Sequence, residues 1–265
     1  MESQVKDTVK TPNLFLSWLM YFFLSIGLLG GITGAVCLPL WCAGKIFRPL
    51  YSFSSNFFAF SVRVLLGIQP WLNAQVDIKI PERNKANSVG VLTVSNHRSN
   101  LDMFFLLASL PRIRVVAKES LFRNPVLWPF LKMMGDFEVK TKDVGSYFGA
   151  LENAFSALKQ GDIVHIFPEM TRSEYGTSGT NHFALAPFRL AIQSGAQLVP
   201  IVFCDTDGGW PKGKVGVAYK HKIRIQSLPP INSSMFSSAE ELKKYVQKQI
   251  DAVLAVYSSF GRANS

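Results

Sequence analysis

Two patterns of hydrophobic and polar positions divide the chain near residue 70. Residues 11–44 contain no Asp, Glu, Lys, Arg or His, and residues 46–68 continue as an aromatic-rich apolar segment whose only charges are Arg48 and Arg63. An α-helix needs roughly 20 apolar residues to cross the hydrocarbon core of a membrane. The first stretch is therefore long enough to span a membrane or to enter it and return.

We interpret residues 12–68 as a helical hairpin at a membrane interface. Large aromatic side chains near its ends fit the headgroup region, where such residues concentrate; they are Trp18, Tyr21, Trp41 and Trp71. A buried pair of core helices is the alternative. A cleaved signal peptide is a third interpretation, which the length of the run and the lack of a small-residue cleavage site disfavour.

Positive charges indicate the orientation of this hairpin. Lys45 and Arg48 directly follow the first hydrophobic stretch, and basic residues accumulate on the cytoplasmic side of membrane segments. We therefore expect a membrane protein in which the chain after residue 70 lies on the cytoplasmic face.

After residue 70, short β-branched runs alternate with helical periodicity. The runs predict strands at residues 76–80, 89–95, 113–118, 162–167, 197–203, 214–219 and 222–228. The periodic segments predict helices at residues 101–110, 121–134, 144–159 and 188–194, and a last helix that a capping box starts at Ser238. This alternation predicts an α/β fold with a mixed, largely parallel sheet flanked by helices. We divide the chain into a membrane anchor, residues 1–70, and an α/β domain, residues 71–265.

The predicted helix 144–159 has the clearest hydrophobic stripe. Its apolar positions at helical spacing are expected to face the core; they are Phe148, Leu151, Phe155 and Leu158. Gly161, just past the end of the helix, fits a helix C-terminus.

Composition excludes several classes of protein. The chain has 28 Lys and Arg against 18 Asp and Glu, a net charge of +10, and is 48% hydrophobic, so it is not intrinsically disordered. Three cysteines without CxxC spacing exclude a disulfide framework or a zinc ribbon. The basic residues form no blocks and no nucleic-acid-binding pattern, so we expect no nucleic-acid partner. An anionic membrane surface or a phosphorylated substrate explains the positive charge better.

The first candidate site follows the second predicted strand, where the chain continues NHRSNLD. On one continuous helix, residues five apart are rotated by about 140°, so His97 and Asp102 would not meet. They can meet if His97 lies in the turn and Asp102 in the first helical turn after a cap at Ser99 or Asn100. The carboxylate would then fix the imidazole tautomer and leave the other nitrogen to act as a base. Taken alone, the spacing favours a structural histidine beside a capping aspartate.

The second candidate site follows the predicted strand 162–167, where the chain reads FPEMTRS. The loop offers a carboxylate from Glu169, hydroxyls from Thr171 and Ser173, and a guanidinium from Arg172. It stands at the carboxyl edge of a strand, where open α/β sheets bind ligands. Arg172 could hold a phosphate through two parallel hydrogen bonds. For an isolated loop, a solvated Glu–Arg pair is an equally good interpretation.

Together, the two motifs resemble those of the acyltransferases that acylate lysophospholipids and glycerol phosphates, in particular the 1-acyl-sn-glycerol-3-phosphate acyltransferase family. The NHxSxxD block of that family is matched at Asn96, His97, Ser99 and Asp102. Its FPEGTRS block is matched at Phe167, Pro168, Glu169, Thr171, Arg172 and Ser173. The resemblance extends from about residue 75 to 205, because residues 117–135 and 198–203 are similar to two further family segments.

Three departures from the family pattern concern the acceptor head group rather than the acyl-transfer chemistry. Thr141 stands at the position of an Arg in the family's second block, between Lys140 and Lys142. Met170 replaces the Gly of FPEGTRS, and residues 183–186 replace an FKxG segment.

The resemblance implies a membrane-bound O-acyltransferase of phospholipid biosynthesis. It would move a fatty acyl group from a thioester donor, acyl-CoA or acyl carrier protein, to the hydroxyl of a lysophospholipid, above all 1-acyl-sn-glycerol-3-phosphate. His97 would be the base and Asp102 its orienting partner. The acceptor would be bound by Glu169, Thr171, Arg172, Ser173, Lys118 and Lys140. We expect no metal and no cofactor beyond the thioester co-substrate.

Two other functions stay open. Another lysolipid, such as a lyso-aminolipid, is a possible acceptor because Thr141 lacks the family's positive charge. A non-catalytic membrane protein of the same fold could bind anionic lipid through its basic face. The presence of His97 and Asp102 favours catalysis, since lipid binding alone does not need them.

Other patterns are assigned no function. Residues 208–214 fit GxxxxGK, but Val215 stands where a phosphate-binding loop needs Ser or Thr, and a predicted strand follows instead of a helix. His165 lies in an apolar strand and is predicted to be a hydrogen-bonded core residue. His182 and His221 lack partners at metal-ligand spacing, so no zinc site is expected.

Overall fold

The computed structural model of the protein describes residues 15, 19, 31, 35–44, 47–67, 72–81, 89–110, 112–124, 128–140, 143–213 and 221–263. Most of the predicted hairpin before residue 35, together with Lys45, Thr141, Lys142 and the predicted strand 214–219, lies outside the described residues. Within the part that is described, no helix has both the length and the apolar character that crossing a membrane requires.

The described residues form a mixed α/β fold around one sheet. Its strands are β1 (Leu72–Asp77), β2 (Val91–Ser95), β3 (Ile113–Lys118), β4 (Phe137–Val139), β5 (Ile163–Ile166), β6 (Gln197–Cys204), β7 (His221–Ser227) and β8 (Ile231–Asn232). The helices are α1 (Leu38–Gly44), α2 (Arg48–Gly67), α3 (Leu101–Ser109), α4 (Glu119–Phe122), α5 (Trp128–Met134), α6 (Val144–Lys159), α7 (Ala186–Ser194), α8 (Thr206–Gly209) and α9 (Ala239–Ala263). The predicted α/β class with a largely parallel, helix-flanked sheet is confirmed.

The strand order brings five carboxyl ends to one edge of the sheet. The order is β1-β7-β6-β2-β5-β3-β4, with β8 paired to β6. β2 is parallel to both of its neighbours, β5 and β6, and β3 continues the parallel arrangement from β5 to β4. The parallel arrangement ends at β6, because β7 is antiparallel to β6 and parallel to the edge strand β1. The ends of β2 to β6 therefore share one edge.

The connections after β2 and β5 run in opposite directions along the sheet. From β2 the chain passes through α3 to β3, which lies beyond β5. From β5 it passes through α7 to β6, which lies beyond β2. Neighbouring strands whose connections run in opposite directions leave a crevice outside their carboxyl ends, and open α/β sheets bind ligands in such a crevice. Both sequence motifs lie there.

One face of the sheet is covered by α2 and α3. Phe58 and Val62 of α2 are buried in one cluster with Leu101 at the start of α3. Arg63 ties the two helices together, because its Nε and Nη2 atoms donate to the carbonyl of Ala108 at 3.1 and 2.8 Å. α2 thus packs on the α/β body, and the proposed domain division at residue 70 stays a prediction.

The other face is covered by α6, α7 and α9, and the predicted stripe of α6 is confirmed only in part. Helix α6 has the predicted bounds, Leu158 is buried, and Leu151 and Phe155 pack against the core, but Phe148 is 60% exposed. The buried positions are Ala150, Ala154, Ala157 and Leu158. Small alanines let the helix backbone approach the sheet closely, so the inner face is the alanine face.

Other elements differ in their bounds. The predicted helix 121–134 is two helices, α4 and α5, and the predicted strand 76–80 begins earlier, at Leu72. The short strands β4 and β8 were not predicted, because two or three residues carry too little hydrophobic pattern to identify a strand.

Candidate active site

His97 and Asp102 meet at the end of β2. His97 lies in the turn, α3 begins at Leu101, and Nδ1 of His97 lies 2.9 Å from Oδ2 of Asp102. This is the arrangement that the motif spacing allows. Of the two expected caps, the Ser99 hydroxyl accepts the N–H of Leu101 at 3.2 Å, whereas Asn100 makes no side-chain cap hydrogen bond. In addition, Oδ2 of Asp102 accepts the backbone N–H groups of Arg98 at 2.7 Å and Ser99 at 2.9 Å.

The surroundings of this pair fit proton transfer. The Asp102 side chain is fully buried, while that of His97 is 20% exposed. An ionised carboxylate only accepts hydrogen bonds, so Nδ1 of His97 is the donor and Nε2 carries the lone pair. Within the described residues, Nε2 makes no hydrogen bond. The arrangement is an oriented imidazole with a basic nitrogen available at a crevice.

The other two matched residues of the first motif hold the turn. The Asn96 amide pairs with the backbone of Phe203 in both directions, donating at 2.8 Å and accepting at 2.9 Å. The Ser99 hydroxyl donates to the carbonyl of Trp210 at 2.8 Å. Both contacts anchor the His97 turn to β6 and the chain that follows it.

Glu169 joins the second motif to the first. Its carboxylate is 5% exposed, and Oε1 accepts the backbone N–H of His97 at 2.9 Å. Oε2 accepts the Ser173 hydroxyl at 2.7 Å and the Asn181 N–H at 3.0 Å. A second link runs from the Ser173 N–H to the carbonyl of His97 at 2.8 Å. The polar atoms of Glu169 and Ser173 are thus engaged within the protein and shape the loop.

Met170 occupies a position that favours glycine. Its φ is +58°, in the left-handed region, which glycine adopts without the steric cost borne by residues with a Cβ. The departure from FPEGTRS therefore carries local backbone strain. The Met170 side chain is 42% exposed beside the motif loop.

Arg172 is partly exposed, and Thr171 is exposed. The described residues provide no hydrogen bond or ion pair to the Arg172 guanidinium. A partly buried guanidinium with unused donors can bind an anion through its planar fork of N–H groups.

The two candidate lysines lie at the same edge of the sheet. Lys118 ends β3 and Lys140 follows β4, and both are exposed. In the strand order, Lys118 is two strands and Lys140 three strands away from β2. Neighbouring strands lie about 4.8 Å apart. The loop that carries Arg172 follows β5, between β2 and β3. A role toward substrate stays a prediction for these lysines and for the four motif residues Glu169, Thr171, Arg172 and Ser173.

His165 is a core residue, as expected. It is fully buried, with Nδ1 2.9 Å from the Thr93 hydroxyl and Nε2 3.3 Å from the Ser95 hydroxyl. Burial, with a smaller contribution from the charge of His97, lowers the pKa of His165 to about 3.

Several residues that hold the site were not singled out from the sequence. Arg98 forms a buried ion pair with Asp207 at 3.4 Å and donates to the carbonyls of Thr177 and Gly179. Lys212 donates to the carbonyl of Arg172 at 3.0 Å. Their partners are at least 40 residues away in the chain, so no spacing pattern pointed to them.

Comparison with known proteins identifies the same region. A family model described as acyltransferase matches residues 76–204. A chloroplastic 1-acyl-sn-glycerol-3-phosphate acyltransferase of Brassica napus is 28% identical over 208 residues, covering 78% of this chain and 60% of the relative. A 1-acyl-sn-glycerol-3-phosphate acyltransferase of Borreliella burgdorferi is 26% identical over 147 residues, covering 55% of this chain and 58% of the relative. The matched region thus spans less than two thirds of the length of these relatives.

A solved structure shares the fold. The crystal structure of the 1-acyl-sn-glycerophosphate acyltransferase from Thermotoga maritima has a TM-score of 0.75 and 22% sequence identity, and the match covers 91% of this chain and 94% of that one. The resemblance to acyltransferases seen in the motifs is confirmed by these comparisons. Residues 76–204 are thus similar to the acyltransferase family model, and the chain is similar to proteins described as 1-acyl-sn-glycerol-3-phosphate acyltransferases.

Proposed function

We propose that the protein is a membrane-bound O-acyltransferase that converts 1-acyl-sn-glycerol-3-phosphate to phosphatidate with a thioester donor. The observation that carries this proposal is the His97–Asp102 pair, whose basic Nε2 is available at the crevice that the loop carrying Arg172 also borders. A base and an anion-binding group at one crevice suit an acceptor that has both a hydroxyl and a phosphate.

The reaction needs no nucleophile from the protein, because a thioester is already activated. Nε2 of His97 takes the proton of the acceptor hydroxyl as its oxygen attacks the thioester carbonyl. A C–O bond forms, the C–S bond breaks, and the thiolate leaves with the proton from His97. Asp102 keeps the imidazole in the required tautomer and stabilises its charged form. General base catalysis of this kind contributes typically 10²–10⁴-fold, and positioning of the two substrates supplies much of the remainder.

The acceptor phosphate is assigned to Arg172, with Lys118 and Lys140 adding to the positive field at the same edge. Thr171 lies exposed beside Arg172 and can donate a further hydrogen bond. Glu169 and Ser173 act by shaping the loop. The relatives named 1-acyl-sn-glycerol-3-phosphate acyltransferases support this choice of acceptor.

Membrane attachment is assigned to the N-terminal region, with the crevice on the cytoplasmic side. Support comes from α2, whose inner face packs on α3 while its outer face exposes large apolar side chains. Phe53 is 56%, Phe60 59% and Val64 42% exposed. These residues are seven and four positions apart, so they share one side of the helix. Exposed aromatic residues on one helix face are suited to the headgroup and acyl boundary of a membrane.

The reaction is tested with the full-length protein in membranes. Acyl-CoA and acyl carrier protein thioesters are supplied in turn with lysophosphatidate, phosphate-free lysolipids and lyso-aminolipids, and the acylated products are measured. We expect lysophosphatidate to be acylated fastest, and Arg172→Lys to raise its KM about tenfold because an ammonium cannot form two parallel hydrogen bonds. Preference for a lyso-aminolipid would overturn the acceptor, and no transfer to any acceptor would favour the non-catalytic lipid-binding alternative.

The attachment is tested by changing the outer face of α2 alone. Deleting the whole region would also remove Phe58 and Val62 from the core, so Phe53→Ser with Phe60→Ser is the sharper change. We expect this pair to weaken binding to anionic phospholipid vesicles, even at high salt. Phe148→Ser is the matched control, because Phe148 is equally exposed but lies on the opposite face of the sheet. Equal binding by both variants would exclude α2 as the contact.

A further inference from the structure

The segment after β6, residues 205–213, reaches both motif loops. It contains most of the GxxxxGK pattern to which no function was assigned. The Trp210 carbonyl accepts the Ser99 hydroxyl of the first motif, and Asp207 pairs with Arg98. Farther along, Nζ of Lys212 donates to the carbonyl of Arg172 at 3.0 Å and forms an ion pair with Glu174. The segment therefore connects the base loop to the loop that carries the candidate phosphate ligand.

We infer that Lys212 is a positioning residue that fixes Arg172 for binding the acceptor phosphate. This inference rests on the proposed function, since it assigns a role within the same site. Lys212 acts on the main chain of Arg172 and leaves its guanidinium available to substrate.

Two contacts at the peptide group after Arg172 support this role. The carbonyl of Arg172 accepts the Lys212 ammonium, and the N–H of the next residue, Ser173, donates to the carbonyl of His97 at 2.8 Å. The peptide group that follows Arg172 is thus held at its oxygen and at its nitrogen. With the backbone fixed, only the side-chain torsions of Arg172 remain to be ordered when a phosphate binds, which lowers the entropic cost of binding.

The rest of the loop is held by charged groups that act on backbone atoms in the same way. Arg98 donates to the carbonyl of Thr177 at 2.8 Å and to that of Gly179 at 3.2 Å. Asp207 accepts the N–H of Gly176 at 3.3 Å. Lys212 is the member of this set that acts at Arg172 itself.

The environment makes the Lys212 contact stronger than a surface ion pair. Its side chain is 29% exposed, whereas that of its partner Glu174 is 77% exposed. A charged donor to a backbone carbonyl is stronger than a neutral one, and partial burial reduces screening by water. A substitution that removes the ammonium should therefore affect the site measurably.

The test compares Lys212→Met and Lys212→Arg with the wild-type protein in the acyl-transfer assay. We expect Lys212→Met to raise the KM for lysophosphatidate roughly 3- to 30-fold, with kcat and the KM for the thioester little changed. Lys212→Arg should recover part of the loss, because it restores a cationic donor. Lys79→Met is the matched control, since Lys79 also forms an ion pair, with Asp77, but is 82% exposed at β1; it should leave all constants unchanged.

A double-mutant cycle separates positioning from direct contact with the phosphate. If Lys212 acts through Arg172, Lys212→Met should have little effect on KM in an Arg172→Ala background. An undiminished effect there would overturn the inference, because two independent phosphate ligands would give additive losses. An unchanged KM in Lys212→Met alone would also overturn it. Lack of acyl transfer by the wild-type protein would instead refute the proposed function.

Discussion

Two histidines contact the same phenyl ring, that of Phe167, from different sides. His97 stacks on the ring face, with centroids 3.9 Å apart and an interplanar angle of 24°. His165 meets the ring in a T-shaped contact, with centroids 4.4 Å apart. His97 lies in a loop with 20% of its side chain exposed, whereas His165 lies in β5 and is fully buried.

The two imidazoles differ most in the partners of their nitrogens. Nδ1 of His165 lies 2.9 Å from the Thr93 hydroxyl, which is also 3.2 Å from the carbonyl of Val164, and Nε2 lies 3.3 Å from the Ser95 hydroxyl. Both nitrogens of His165 make hydrogen bonds inside the sheet. In His97, Nδ1 makes a hydrogen bond to Asp102, and Nε2 is available at the crevice. The available nitrogen and the ionised partner, rather than the imidazole itself, make one of the two histidines suited to chemistry.

The largest expected effect is on activity and comes from His97→Ala. Removing the base should lower kcat for acyl transfer about 10²- to 10⁴-fold, while the melting temperature stays near that of the wild type because the side chain is not part of the core. His182→Ala is the matched control, since His182 is exposed and its side chain makes no hydrogen bond within the described residues. More than a few per cent of residual activity would show that His97 is not the base.

Asp102→Asn should be nearly as severe, with a loss of about 10²–10⁴-fold in kcat. The amide can still accept backbone N–H groups, but it lacks the charge that favours the Nδ1–H tautomer and stabilises the imidazolium. The measurement is kcat together with membrane association, which should be unchanged. Activity within a factor of three of the wild type would mean that the imidazole is oriented by other contacts.

Contacts between residues close in sequence could be predicted, whereas contacts between distant residues could not. Asp102 lies five residues from His97, so motif spacing and helix geometry suggested the pair. His165 was expected in the core from its apolar neighbours alone. The links through Glu169 to His97 and from Arg98 to Asp207 join residues 72 and 109 positions apart, and they depend on which strands become neighbours.

Helix α6 shows a related limit within a single element. Its period was correct, but both an aromatic stripe and an alanine stripe were compatible with that period. The sheet surface, formed by residues distant in sequence, decides how closely the helix approaches and therefore buries Ala150 and Ala154 rather than Phe148. Periodicity predicts that a helix forms, whereas the choice of face depends on its partner.

His165→Leu should affect stability rather than catalysis, and the effect should depend on pH. At pH 7.5 the variant is expected to lose about 1–3 kcal/mol, because the buried Ser95 hydroxyl loses its partner and the Thr93 hydroxyl keeps only the Val164 carbonyl. In the wild type, unfolded His165 takes up a proton near pH 6.5, but the folded residue does so only near its lowered pKa of about 3. The wild type therefore loses stability as pH falls below 6.5, by about 2 kcal/mol at pH 5.

Because the variant lacks this titration, the free energy of unfolding of the wild type minus that of the variant should fall by about 2 kcal/mol between pH 7.5 and pH 5, so a small advantage of the wild type would reverse. Denaturant unfolding in detergent at both pH values measures this difference, with the exposed His182→Leu as control. An equal difference at both pH values would contradict the assignment of His165 as a neutral buried residue.

The smallest expected effect is that of Phe167→Leu, the one change that touches both histidines. A phenyl face stabilises a nearby cation by about 0.5–1 kcal/mol, so loss of the ring should destabilise the imidazolium of His97 as it forms and lower kcat roughly 2- to 5-fold. The edge contact with His165 is lost too, which should lower the melting temperature slightly. Phe167→Tyr keeps an aromatic face and should retain more activity than the leucine variant. If leucine and tyrosine gave the same kcat, the ring would serve only to fill space, and the contrast between the two histidines would rest on their hydrogen bonds alone.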